Sequence, residues 1–282
     1  MFGKLLKNDL KAQWHSVSVI FLCIAIVVCA IELFISLCLK NIISFDNAWL
    51  KFGVVCFSGI AVMLLLFFAC IVIQVAVGML FSKTTFGRAG YLTLTLPVKT
   101  SSLVWSKTIS GLIWTFIVYF LFLGSAWLWV SQSSFANDEL RPMLEAVLNG
   151  FFNLSLKTIF SMVIYGFAIL AIVMFFVVQC MYFSITCSHV SPLSKLSVFS
   201  AIIIFFASFG TVAYLTYEIC VISPFGLVVH NDTITITSNV FETFNSVGGL
   251  PIIISVPLFL LAVSVLLHFP IAYLTKHKVN VK

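Results

Sequence analysis

Long apolar runs separated by short polar interruptions dominate this chain. Six runs reach the roughly 20 apolar residues that a helix needs to cross a hydrocarbon core: 17–39, 52–81, 109–130, 158–187, 198–221 and 250–274. The second and fourth hold about 30 residues each, so at ~1.5 Å per residue they extend roughly 15 Å beyond the core or tilt strongly. Residues 1–16 follow a different pattern. Phe2, Leu5, Leu6, Leu10 and Trp14 recur at helical spacing, and Lys4, Lys7 and Lys11 take the opposite side. That pattern predicts an amphipathic helix in the headgroup layer with its lysines toward anionic lipid, a frayed basic terminus being the alternative. The predicted fold class is an all-α integral membrane protein, with one transmembrane domain over residues 1–282.

The polar interruptions carry their own signals. Phe81 ends the second run, Thr84–Arg88 turns the chain, and Gly90–Leu96 leads to Pro97. Ser101 or Ser102 is placed to cap the helix that follows. The loop Ser131–Lys157 has room for a short amphipathic helix around Arg141–Leu148, and the alternation in Asp232–Ser238 predicts a short strand. Gly59, Gly78, Gly111, Gly124, Gly166 and Gly210 predict close helix approaches, and Pro257 a kink in the sixth span. Trp14, Trp49, Trp105, Trp127 and Trp129 sit near run ends, as interface anchors do.

Composition agrees with a membrane protein. The chain has 282 residues, 62% apolar and only 9% charged, with a mean hydropathy of +1.18, which excludes a soluble domain of this size. The net charge of +6 does not imply nucleic acid, because the cations form no stripe and instead gather in the loops of one side. Lys4, Lys7, Lys11, Lys83, Arg88, Lys99, Lys107, Lys195, Lys276, Lys278 and Lys282 lie on that side, against Lys40, Lys51, Arg141 and Lys157 on the other. The bias assigns the richer side, with both termini, to the cytoplasm. The first run is too long for the apolar part of a signal peptide, so no cleavable leader is expected. The eight cysteines lie in or beside apolar runs without metal-ligand spacing. They read as buried or lipid-facing thiols, with a Cys38–Cys56 disulfide as the other possibility.

No phosphate-cradling GxxxxGK[ST], HExxH or GxSxG motif occurs, and no two carboxylates share a run at helical spacing. The chain is therefore not expected to be an enzyme, and no cofactor or metal is expected within it. Four polar residues interrupt the runs. Glu32 and Glu218 lie in the outer parts of the first and fifth, Gln74 and Gln179 toward the inner ends of the second and fourth. One reading lines a substrate pathway with all four, the outer acids favouring a cationic or amphipathic substrate. The other lets the acids snorkel to the outer headgroups and the glutamines join helices.

The most distinctive polar stretch is Lys83–Lys107, KTTFGRAGYLTLTLPVKTSSLVWSK. Its exposed Tyr and Leu residues mark a protein contact, a hairpin packed only on its own inner loops being the alternative. Together with the start MFGKLLKNDLKA and the six-run frame, its GYLTLTLPVKTSSLVWSKTISGLIW resembles the permease subunits of type-two ABC exporters of Gram-positive bacteria. The likeness spans the chain in layout and is concentrated in residues 1–12 and 86–114. It implies that residues 1–16 are an interfacial helix and that the stretch between spans two and three is a coupling helix. Gly90, Tyr91, Leu92, Leu94 and Pro97 would seat in a groove of the ATPase, and Ser188–Lys195 would be a smaller contact. Relatives often carry an acidic residue just before the Gly-Tyr, where this chain has Arg88-Ala89. The implied partners are two ABC ATPase subunits, which bind ATP and Mg, a second permease copy or a related permease, and membrane lipid. The implied function is export of a hydrophobic or amphipathic molecule, such as an antimicrobial peptide or a lipid, across the bacterial cytoplasmic membrane. A secondary transporter or channel working alone, or a non-transporting membrane partner, are the alternatives.

Overall fold

The computed structural model describes residues 2–39, 48–87, 99–136, 156–190, 193–230, 233–247 and 250–277. It is predominantly helical, with six helices long and apolar enough to cross a membrane. These are α1 (Phe2–Leu39), α2 (Ala48–Phe86), α3 (Thr100–Ala136), α4 (Leu156–Ser188), α5 (Ser197–Ile222) and α7 (Ser255–His277). Between α5 and α7 come strands β1 (Gly226–His230) and β2 (Thr233–Thr237), the short helix α6 (Val240–Val247) and strand β3 (Leu250–Ile253).

The helices outrun the apolar runs that predict them. Once a helix has formed, extending it costs little, and in hydrocarbon each backbone group must be bonded within the helix. α1 passes through the 16/17 boundary without a break, because no Gly, Pro or cap interrupts it there. α2 continues past Phe81 through the expected turn at Thr84. The Thr84 hydroxyl folds back onto the Leu80 carbonyl at 2.7 Å and stays helical. α3 opens at Thr100 rather than 109. The Lys99 carbonyl accepts the Ser102 and Leu103 amides at 2.9 and 3.3 Å. Neither serine caps the helix: both lie inside its first turn, and the Ser101 hydroxyl is bonded to His268.

The sixth apolar run also divides differently. Leu250–Ile253 is strand, and α7 begins at Ser255. The β-branched Ile252 and Ile253 suit a pleated strand, and they pair with Leu227 and Gly226 of β1. β1 also pairs antiparallel with β2, Val228 opposite Thr235, which gives the sheet order β2-β1-β3. Gly226 is required here, since a Cβ would fall 2.0 Å from the Ile252 carbonyl oxygen. Pro257 lies in the first turn of α7, where its missing N–H leaves no bond unmade, so no kink follows from it; the proline inside α7 is Pro270. The Tyr165 hydroxyl of α4 donates to the Ile253 carbonyl and ties the sheet to the start of that helix.

The chain divides into two compact units. The first comprises Met1–Leu6, Gly78–Leu112 and Leu154–Lys282. Its core joins Phe176 and Cys180 of α4 to Leu260 of α7, with Phe205 and Val212 of α5 packed around them. At Gly78, α2 approaches α4 so closely that a Cβ would stand 2.8 Å from Met181 Sδ. Among the described residues nothing lies within 4 Å of a Cβ at Gly124, Gly166 or Gly210, so no close approach is seen there. The second unit comprises Lys7–Val77 and Ile113–Asn153. Its core is Val28 and Ile35 of α1 against Val62 and Leu66 of α2, with Leu121 of α3 beside them.

Candidate functional site

Gly90, Tyr91, Leu92, Leu94 and Pro97 lie outside the described residues, as do the segment around Arg141–Leu148 and, within Ser188–Lys195, Ser191 and Pro192. The stems that carry residues 88–98 are described, and both are braced within the first unit. On the α2 stem, Phe81 stacks on Tyr182 of α4, centroids 3.9 Å apart and planes 9° apart. Phe86 stacks on His189 at 4.5 Å. On the α3 stem, the Trp105 ring lies 4.5 Å from the His268 ring of α7 and 5.8 Å from Phe175 of α4. Ser101 Oγ and His268 Nε2 share a hydrogen bond of 2.9 Å.

Lys107 joins the stems to each other. It is 3% exposed, and its ammonium donates to Thr84 Oγ1 at 2.7 Å. The same hydroxyl donates to the Leu80 carbonyl, so Thr84 both accepts and donates. The Tyr182 hydroxyl donates to the Lys107 carbonyl at 3.1 Å. An ammonium shut off from water persists only where oxygens replace its hydration. The lysine that ordinary counting assigns to loop charge is therefore a strut between helices. Its signal in the sequence is its position inside the apolar pattern of α3, eight residues past Lys99. His268, set in the apolar Leu266-Leu267-His268-Phe269, carries a similar signal.

The second unit holds a different arrangement. A cleft of about 380 Å³ is lined by Val28, Cys29 and Glu32 of α1 and by Leu121, Gly124 and Ser125 of α3, among others. Glu32 is 6% exposed, and among the described residues neither carboxylate oxygen has a hydrogen-bond partner. A carboxylate near mid-membrane costs about 2.5–3.5 kcal/mol on insertion scales. Nothing in the cleft wall repays that cost. At that exposure the Glu32 side chain is covered within its own unit.

The other three polar residues occupy other places. Gln74 donates to Thr115 Oγ1 at 3.2 Å, joining α2 to α3. Thr115 is ten residues before Ser125, so Gln74 and the Glu32 cleft stand about 15 Å apart along α3. Gln179 is fully buried on α4, its amide oxygen and nitrogen both without partners among the described residues. Glu218 lies on α5 one turn from Tyr214, with which its side chain interacts. Phe176 meets Phe209 across α4 and α5, which puts Gln179 and Glu218 about 18 Å apart along the helices. The four do not meet at one point within either unit. Among the described residues no three His, Cys, Asp or Glu are grouped to hold a metal ion. The chain matches no family model, and no curated protein or solved structure is significantly similar to it.

Proposed function

We propose that this chain is the membrane-spanning permease subunit of an ATP-driven exporter in the bacterial cytoplasmic membrane. It moves a hydrophobic or amphipathic molecule outward, and a separate ATPase, present in two copies, holds the ATP and Mg. The observation that carries this reading is the bracing of both stems of the 88–98 segment. A segment that is pushed transmits force only if its mountings do not yield. Here one stem is stacked on α4 and the other on α4 and α7, and Lys107 bonds them together. α2 adds reach: its 39 residues span about 58 Å, nearly twice a hydrocarbon core.

Gly90, Tyr91, Leu92, Leu94 and Pro97 are the proposed contact with the ATPase. The Lys and Arg bias puts them on the cytoplasmic side with both termini. Closure of the ATPase dimer pushes the segment, α2 and α3 shift together, and access alternates between the two faces. Six spans are few to enclose a route, so a second permease copy completes it. The experiment is purification from the native membrane with identification of what accompanies the chain. A soluble ATPase is expected, and Tyr91→Ala with Leu92→Ala should reduce its recovery at least tenfold. An ATPase held as firmly by the double variant would contradict the assignment.

One observation favours the carrier that works alone: Glu32 is an unpartnered carboxylate beside a cleft, as ion-coupled carriers use. That reading predicts transport in ATP-free vesicles driven by an ion gradient alone. The exporter reading predicts none.

A further inference from the structure

We infer that the Glu32 cleft binds the substituted-ammonium head of an amphipathic organic cation, the head against the carboxylate and the chain along the apolar wall. Three observations lead there. The cleft volume, about 380 Å³, falls in the range of small-molecule sites. Its carboxylate, Glu32, is almost wholly buried, with neither oxygen partnered among the described residues. Its remaining lining is mostly apolar, with Val28 and Leu121 on facing helices and open space over Gly124.

Charge and hydration select among ligands. An anion would meet a carboxylate without a compensating donor. A hard metal ion needs six or more oxygens, and Glu32 and Ser125 cannot supply them. A small ammonium would give up its hydration for one carboxylate. A substituted ammonium is weakly hydrated, needs one counter-charge, and gains from an apolar wall. The shared chemistry is an alkylated or lipid-borne ammonium, supplied by a free amphiphile or by a bilayer lipid headgroup. As a substrate site the cleft deepens the transport reading above. As a binding site it needs no ATPase, so loss of the partner and loss of binding are separate failures.

Cys29 and Cys23 are both exposed on the same helix, and only Cys29 lines the cleft. The full chain, purified in neutral maltoside detergent, is labelled with N-ethylmaleimide, and each cysteine is followed by peptide mass. Dodecyltrimethylammonium should slow Cys29 labelling at least threefold in a saturable manner and leave Cys23 unaffected. Glu32→Gln should raise the half-protecting concentration at least tenfold. Gly124→Leu, which fills the cleft and keeps the carboxylate, should remove protection. Protection by added phosphatidylcholine as well would assign the site to a lipid headgroup, and protection by the ammonium amphiphile alone to a free ligand. Cys29 left unprotected, or protected equally well in the folded Gly124→Leu protein, would overturn the inference.

Discussion

Glu32 and Lys107 are both ionisable, both nearly closed off from solvent, and oppositely provided for. Lys107 has the Thr84 hydroxyl for its ammonium; Glu32 has no partner for its carboxylate among the described residues. The physical consequence is that Glu32 is a cost to the fold. Glu32→Met should raise the apparent Tm in maltoside by roughly 5 °C while reducing transport. A lower Tm would mean that the carboxylate has a structural role. Tyr182 behaves in the opposite sense. Tyr182→Phe loses one bond to the Lys107 carbonyl and keeps the Phe81 stack, for about 1 kcal/mol. Tyr182→Ala empties a fully buried aromatic site, for about 3–5 kcal/mol. Denaturant or thermal unfolding of the two variants checks the ratio. At this scale the acid itself was legible, as a charge inside an apolar run. The cleft around it was not, because Leu121 and Ser125 lie some ninety positions further on and periodicity does not say which helix faces which.

Element ends depend on local chemistry that hydropathy does not record. Thr84 bonds its own helix and carries α2 past the expected turn. The sheet shows the same limit. The alternation of Thr233–Thr237 gives β2 away, whereas Leu227-Val228-Val229 and Ile252-Ile253 are short apolar runs that read equally as strand or buried helix. Only their mutual pairing decides, and that is a long-range fact. Two substitutions separate the elements concerned. Pro257→Ala, in the first turn of α7, should change stability by less than about 0.5 kcal/mol. Gly226→Ala places a Cβ against the Ile252 carbonyl oxygen and should destabilise by about 1–3 kcal/mol or more, read as a lower Tm. Equal effects would argue that the sheet contributes nothing to the unit it belongs to.

For the molecule as a whole, six membrane-length helices were readable from apolar run length alone, since hydrocarbon permits few other solutions. The bracing of the 88–98 stems was not readable, because Phe81, Lys107, Tyr182 and His268 belong to four helices spread over the chain. α5 offers a broad apolar face, with only 6% of its membrane-length stretch buried. Under the exporter proposal that face is available to lipid or to a second permease copy. Native mass measurement of the purified assembly should then give two permeases with two ATPases. The proposal stands or falls on what touches Tyr91 in the living cell. A photo-reactive phenylalanine analogue in place of Tyr91 should cross-link to a soluble nucleotide-binding protein from the cytoplasmic side. Cross-linking confined to this chain, or labelling of that position by a membrane-impermeant reagent added outside intact cells, would contradict it.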